Sequence, residues 1–469
     1  MADMRMRFSC YPAVVRAGEE TEVTVFPSDI SRRFREDTEY ELGIVDLAGD
    51  MAHYYDAVPP HIDWRVESGC LKFRYCFEGE QEYHILFGKK GESRQRLSVY
   101  AVKEDLYRLR PLKGDFHSHS YYSDGADGVA IVPADYRRAG FDFFALTDHN
   151  RMFPSLYAPK LFEGVALGLH FLPGEEVHTP GSMLHIVNIG AKTSVCEKYV
   201  KEPAQYQAAV DEIEATLTEV PAAYRRRIAM AHWACREIHR AGGLAIFPHP
   251  FWQPYKYNVS DEFRDLLFDQ KIFDAFEVMG GIKQELCNLQ LALWQEQALR
   301  GNMLPVVGSS DSHNHDARHP TSFGHRFTVV FAEGNTTEAI LAAVRQGYTV
   351  AGELPYTSAD DVRFYGSLRL VRFAHFLFRT YFARSWELCA VEGGLMQRFC
   401  EGEAVGDVLS ALADSVETFF RQFYGYLPAP VLSEERLAYL DSLAQAQRDS
   451  GILTKGSDIT LYPGRDRRI

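Results

Sequence analysis

Seven short apolar runs in the middle of the chain each border a turn, and six of them carry His, Asp or Glu at one end. The run before residue 117 leads into FHSHS, with His117 and His119. FDFFALTDHN carries Asp148 and His149, and LHFLPGEEV carries Glu175 and Glu176. LHIVNIG opens with His185, LAIFPHP holds His249, and LPVVGSSDSH holds Asp311 and His313. FEVMGG, with Glu277 inside it, presents no obvious ligand. Helix-like segments separate the later runs and stop at Gly140, Gly242, Gly301 and Gly347, as expected of a residue just past a helix end. Strand–helix alternation over residues 111–355 predicts parallel strands with covering helices, and an α/β barrel keeps its chemistry at the strand ends.

The flanks read differently. In residues 1–108, LKFRYCF places Leu71, Phe73, Tyr75 and Phe77 on one face and Lys72 and Arg74 on the other. EYHILF resumes after Gly79 as a hairpin partner would, and TEVTVF and RLSVYAV alternate similarly, which predicts a β-sandwich. Residues 359–469 read as a helical extension. LVRFAHFLFRTYFARSW is interrupted by Arg372, His375 and Arg379, which suits a helix packed on protein rather than one spanning a membrane. Between the fourth and fifth runs, residues 196–227 are charged and carry Arg225, Arg226 and Arg227, either as a lid over the site or as a solvated helical excursion.

Composition narrows the function classes. The chain has 469 residues and a net charge of -14, which argues against a grip on a nucleic-acid polymer but leaves small phosphorylated substrates open. None of the eight cysteines forms a CxxC pair, so the sequence offers no zinc ribbon or redox motif. With no apolar signal core at the N-terminus, a cytoplasmic setting is expected. No GxSxG elbow and no phosphate-cradling glycine loop is present. His, Asp and Glu without cysteine suit a hard or borderline metal such as Zn, Mn or Fe.

Taken in order, GDFHSHSYYSDG, FFALTDHN, LPGEEV, HIVNIG, AIFPHP and GSSDSH resemble the blocks of the PHP (polymerase and histidinol phosphatase) family over roughly residues 113–350. The resemblance implies a distorted (β/α)7 barrel over residues 109–358 that holds two to three divalent metal ions. It implies that His117, His119, Glu176 and Asp311 hold one ion, that Glu176 bridges to a second completed by His185 and His249, and that Asp124, His149 and His313 hold a third. Asp124 stands where many members use histidine. The β domain before the barrel is similar to that of carbamate-ester (carbaryl-type) hydrolases in the same family.

Two positions have a neighbour that could compete: Glu175 with Glu176, where spacing from the glycine favours Glu176, and His178 with His185, where the apolar run makes His185 the better strand residue. Asp148 reads as a residue that orients a ligand, Asn150 and Arg151 as substrate-facing, and Arg318 and Arg326 either as partners for an anionic group or as residues that serve the fold. The implied activity is a phosphoesterase using a metal-bridging hydroxide on a small phosphorylated substrate. Asp311, His313 and Glu176 would serve catalysis, with His315 as proton donor or substrate contact. A carboxylic or carbamate ester hydrolase with the same site, and a non-catalytic metal-binding scaffold, are the alternatives. An oligomer is compatible with all three readings.

Overall fold

The computed structural model describes residues 7–49, 62–314, 323–354 and 361–449. The chain divides into two compact units. One runs from Val102 to Phe420, and the other joins the residues up to Ala101 with those from Arg421 onward. The C-terminal helical stretch is thus shared between them: the helix Gly406–Phe423 spans the division, and the helix Glu434–Asp449 belongs to the second unit.

The second unit contains two four-stranded sheets. One has the order Phe8–Tyr11, Glu20–Pro27, Cys70–Cys76, Trp64–Glu67; the other Val14–Arg16, Gln95–Val102, Gln81–Lys89, Tyr40–Asp46. Their inner faces meet through pairs such as Phe8 and Phe87, whose rings lie edge to face at 5.1 Å. The alternation in LKFRYCF is real: Leu71, Phe73 and Phe77 are buried and Arg74 is exposed. The expected hairpin around Gly79 does not form. Cys70–Cys76 and Gln81–Lys89 lie in different sheets, and the turn carries the chain from one layer to the other. The physical reason is that Phe73 and Phe77 on one strand, and Ile85 and Phe87 on the next, must all reach one core from opposite sides.

The larger unit is a mixed α/β structure with a six- and a five-stranded sheet. The first has the order His170–Leu172, Phe143–Ala145, Arg110–Asp115, Arg326–Ala332, Thr349–Glu353, Arg363–Tyr365. The second has the order Gly174–His178, His185–Ile189, Leu244–Phe247, Ala275–Met279, Val306–Gly308. Two departures from the expected barrel follow. The strands are not uniformly parallel: His185–Ile189 runs antiparallel to both its neighbours, and Arg326–Ala332 antiparallel to Arg110–Asp115. The two sheets are also not closed into one ladder. The chain steps from Leu172 to Gly174 through Pro173, which has no N–H to offer a ladder. Beyond their strands the sheets meet in isolated bridges, Ser118 with Ser312 and His149 with Glu176. Both bridges lie among the residues singled out in the sequence.

The helices Ile131–Arg138, Ala222–Arg240, Gln284–Leu299 and Thr337–Arg345 cover these sheets. The four glycines expected to stop them have φ between 74° and 86°, in the left-handed region that only glycine adopts freely. Residues 195–227 form helices Val195–Lys201 and Pro203–Thr216 and the start of Ala222–Arg240, and they bury Val195, Tyr199, Tyr206, Val210 and Ile213 in the core. Arg226 pairs with Asp211 and Glu214, and Arg227 lies 3.9 Å above the Phe263 ring. The segment is a packed layer with its arginines engaged. Leu368–Leu377 continues through a π turn, Phe378–Phe382, into Ala383–Cys400. There Glu392 accepts from buried Arg137 at 2.6 Å, tying this helix to Ile131–Arg138. Among the described residues no helix is long and apolar enough to cross a membrane.

Candidate metal centre

Most of the candidate ligands sit at or just beyond a strand end of the larger unit. His117 and His119 follow Arg110–Asp115, and their spacing of two turns both rings to the same side. His149 follows Phe143–Ala145, Glu176 lies within Gly174–His178, and His185 begins its strand. His249 follows Leu244–Phe247, Asp311 and His313 follow Val306–Gly308, and Asp124 stands on the loop after His119.

Glu176 is the hub. Its Oε2 lies 3.3 Å from His117 Nε2, 3.4 Å from His119 Nε2 and 2.7 Å from His149 Nδ1. Its Oε1 lies 2.7 Å from His185 Nδ1 and 3.2 Å from His249 Nε2. Asp311 Oδ1 lies 3.3 Å from His117 Nε2 and 3.0 Å from His119 Nε2. Asp124 Oδ2 lies 3.3 Å from His149 Nε2 and 3.2 Å from His313 Nε2. All nine residues taken from the sequence are therefore brought to one place. His315 and Arg318 fall outside the described residues.

The donor set fits divalent cations. His117, His119, Glu176 and Asp311 have ligand atoms all within 4.8 Å of one another, as do Glu176, His185 and His249, and as do His119, Asp124, His149 and His313. Donors that each stand ~2.1 Å from one ion lie about 3–4 Å apart, and the separations here run from 2.7 to 3.4 Å. Several of these atoms are buried without a hydrogen-bond partner: His117 Nε2, His149 Nδ1, His185 Nδ1 and Glu176 Oε2. Buried polar atoms rarely stay orphaned, and convergent orphans on imidazoles and a carboxylate are what a cation resolves.

The electrostatics carry the same message. Burial alone would lower the imidazole pKa values, but Asp311 and Glu176 hold His117 well above its ordinary value. Against the same burial, Asp124 and Glu176 push His149 up to about 10, and Asp124 and Asp311 push His313 up to about 9. Burial wins at His185, pushed down to about 4. Glu176 and Asp311 are held below the carboxylate range, against burial, by the surrounding histidines. Protons occupy positions that cations would take.

Glu175 turns away from the cluster and accepts from Asn188 Nδ2, Ser194 Oγ and the Val195 N–H at a helix start. Strand alternation makes the two neighbours opposite in fate. His178 stacks on His185 at 3.8 Å between centroids and forms a further candidate group with His149 and Glu176, its Nε2 3.9 Å from Glu176 Oε1 against 2.7 Å for His185. Asp148 accepts from Ser120 N–H and Oγ and from Ser123 Oγ, so it fastens the loop that carries Asp124. Asn150 Oδ1 accepts from the His178 N–H and the Tyr199 hydroxyl, and Arg326 pairs with Glu353 in the interior at 3.8 Å, which suits the fold-serving reading of that arginine.

Two acidic residues were missed in the sequence. Glu277 Oε2 lies 3.0 Å from His117 Nδ1, the contact that fixes the ring and its tautomer for a ligand. The signal was present: a carboxylate inside an otherwise apolar run must find a partner or stay out of the core. Asp115 accepts from the His117 and Ser310 N–H groups and the Tyr136 hydroxyl, tying the first and last ligand-bearing ends together. Its burial pushes its pKa up to about 6. The backbone is strained beside these groups: Asp311 has φ 46° and Asn150 φ 55°.

No family model matches the chain. Over 92 residues, 18% of this chain, it is 33% identical to the DNA polymerase/3'-5' exonuclease PolX of Bacillus subtilis, and the match spans 16% of that protein. A two-domain protein from Bacteroides vulgatus containing a predicted PHP-like metal-dependent phosphoesterase superposes with a TM-score of 0.36 at 19% identity, covering 52% of this chain and 65% of that one. A protein of Bifidobacterium adolescentis assigned as a metal-dependent phosphoesterase gives 0.31 at 19% identity, over 43% of this chain and 87% of its own. None of these matches bears on the carbamate-ester branch, and the chain spans only a small part of the PolX protein. At that overlap none of them supplies a substrate for this chain.

Proposed function

We propose that this chain is a metal-dependent hydrolase of the PHP type, acting as a phosphoesterase on a small phosphorylated substrate. The observation that carries the reading is Glu176, with one oxygen facing His117, His119 and His149 and the other facing His185 and His249. A carboxylate so placed suits two cations side by side. His117, His119, Glu176 and Asp311 would hold the first ion, Glu176, His185 and His249 the second, and Asp124, His149 and His313 a third. Bound divalent ions supply Lewis acidity and lower the pKa of water to near neutrality. The protein's own part is positioning. Glu277 and Asp115 fix the first histidine, and Asp148 fixes the loop of Asp124. Asp311 and His313, on the segment that follows one strand, would serve catalysis on the bound ester, and His315 is proposed as proton donor or substrate contact.

Two measurements test this. Elemental analysis of the purified chain is expected to give two to three ions of Zn, Mn or Fe. A panel of phosphomonoesters, phosphodiesters, carboxylic esters and carbamates is expected to show metal-dependent turnover of phosphoesters. Cleavage confined to the carbonyl esters would replace the phosphoesterase with the carbamate-ester reading. A fully folded chain that binds no metal would leave a scaffold.

A further inference from the structure

The imidazoles of the cluster are fixed in two different ways. His117 Nδ1 meets Glu277 Oε2 at 3.0 Å, and His313 Nδ1 meets the Asp311 carbonyl oxygen at 2.9 Å. A bond to the ring nitrogen that faces away from an ion sets the orientation and tautomer of a ligand. His185 has no bond of that kind among the described residues: its Nδ1 faces Glu176 Oε1 at 2.7 Å, and no side chain or backbone group reaches its Nε2.

Rings stand where that bond would be. His178 and His185 are register partners on antiparallel strands, so their side chains are neighbours on one face of the ladder. The two imidazoles stack with centroids 3.8 Å apart and planes at 19°. Trp252 leans on the His185 ring at 5.6 Å and 40°, and its ring lies 6.2 Å from that of His249. Both neighbours are anchored through their backbones. The His178 N–H donates to Asn150 Oδ1 at 2.9 Å, and the Tyr199 hydroxyl donates to the His178 carbonyl oxygen at 3.0 Å. The Trp252 N–H donates to the His249 carbonyl at 2.9 Å, and the Trp252 carbonyl accepts from the Asn258 N–H at 2.8 Å.

We infer that His178 and Trp252 are positioning residues that hold the His185 ring in its ligating pose by ring-to-ring contact, and so set the affinity of the ion shared by Glu176, His185 and His249. This rests on the metal centre proposed above and adds what tunes one of its ions. An imidazole without a second hydrogen bond can leave its rotamer and carry Nδ1 away from Glu176. A ring packed on its face blocks that swing whether or not the blocking ring carries nitrogen. That property separates a wall from a donor, the part His178 would play in its grouping with His149 and Glu176.

The test reads affinity ion by ion, by competing Zn²⁺ between the full chain and a chromophoric chelator. His178→Ala and Trp252→Leu are each expected to weaken one ion about tenfold, the low end for a lost orienting contact, with the other ions at the parent value. His178→Phe keeps a ring and offers no nitrogen, and is expected to retain parent affinity. In a His185→Ala background, His178→Ala is expected to add nothing, because a residue that acts through His185 has nothing left to position. A loss in His178→Phe equal to that in His178→Ala makes His178 a donor and overturns the inference. Unchanged affinity in either His178→Ala or Trp252→Leu overturns it as well, as does a loss spread over every ion, a further loss in the double variant, or a chain that binds no ion. Turnover is a separate readout: bound ions with the expected variant pattern but no cleavage across the ester panel sink the hydrolase reading and leave this one standing.

Discussion

The two ends of the imidazole–carboxylate cluster are built to different rules. At the closed end, Glu176 and His117 are buried, the Asp311 side chain is 11% exposed, and His117 is supported by the buried Glu277 and Asp115. At the open end, Asp124, His149 and His313 are partly exposed, and the loop of Asp124 is held by Asp148. The difference teaches that one donor set can contain a permanent part and an exchangeable part. Removing a partner from a buried charged group leaves it unpaired, at a cost of roughly 3–5 kcal/mol, whereas an exposed pair is worth about 0–1 kcal/mol. Ions at the closed end should therefore be retained and the ion at the open end should come and go.

The contrast is broken most directly at the hub. Glu176→Gln is expected to abolish turnover and to lower the metal content by at least one ion; retention of both would remove Glu176 from the centre. Asp124→Asn is expected to lower kcat/KM about 10²–10³-fold, as loss of an electrostatic anchor does, with the two closed-end ions kept on dialysis. Loss of all ions together would erase the distinction between the ends. Glu277→Gln should weaken closed-end metal affinity about 10–100-fold, measured by chelator competition, because His117 then lacks its orienting carboxylate.

A smaller effect concerns protons. In the metal-free chain His149 is raised to about 10 and His313 to about 9. A raised histidine contributes stability that is fully present below its unfolded value near 6.5 and is lost as pH climbs to the folded value. Metal-free melting temperature should thus fall between about pH 6.5 and 10, while metal affinity rises over the same window as protons leave the ligands. Titration of metal into the chain at pH 7 should release protons. An equal melting temperature at pH 6.5 and 9.5 would deny these two histidines their proton load.

Most of the residues gathered in the cluster were legible as candidates because they punctuate the chain: a polar residue abruptly bounding an apolar run, repeated in a fixed order. Glu176 and Glu175 could not be told apart by residue type; the ladder register, which pairs Glu176 with Val187, turns one inward and the other out. Glu277 was illegible as a partner of His117 because the two are separated by 160 positions and nothing local marks their meeting. The fold was read too regularly. The gap at Pro173 and the reversed strand at His185 depend on which strands finally pair, and alternation of apolar residues is the same in parallel and antiparallel ladders. The sheet-to-sheet step at Gly79 was missed for the same reason.

The orphaned atoms at the heart of the larger unit have a thermodynamic corollary. In the metal-free chain the convergent imidazoles and carboxylates are held together by shared protons, and a ligand that binds only the native chain stabilises it by RT ln(1 + [L]/Kd). If the centre holds divalent ions as proposed, the heat tolerance of this protein would follow their supply, lower in scarcity and higher in plenty.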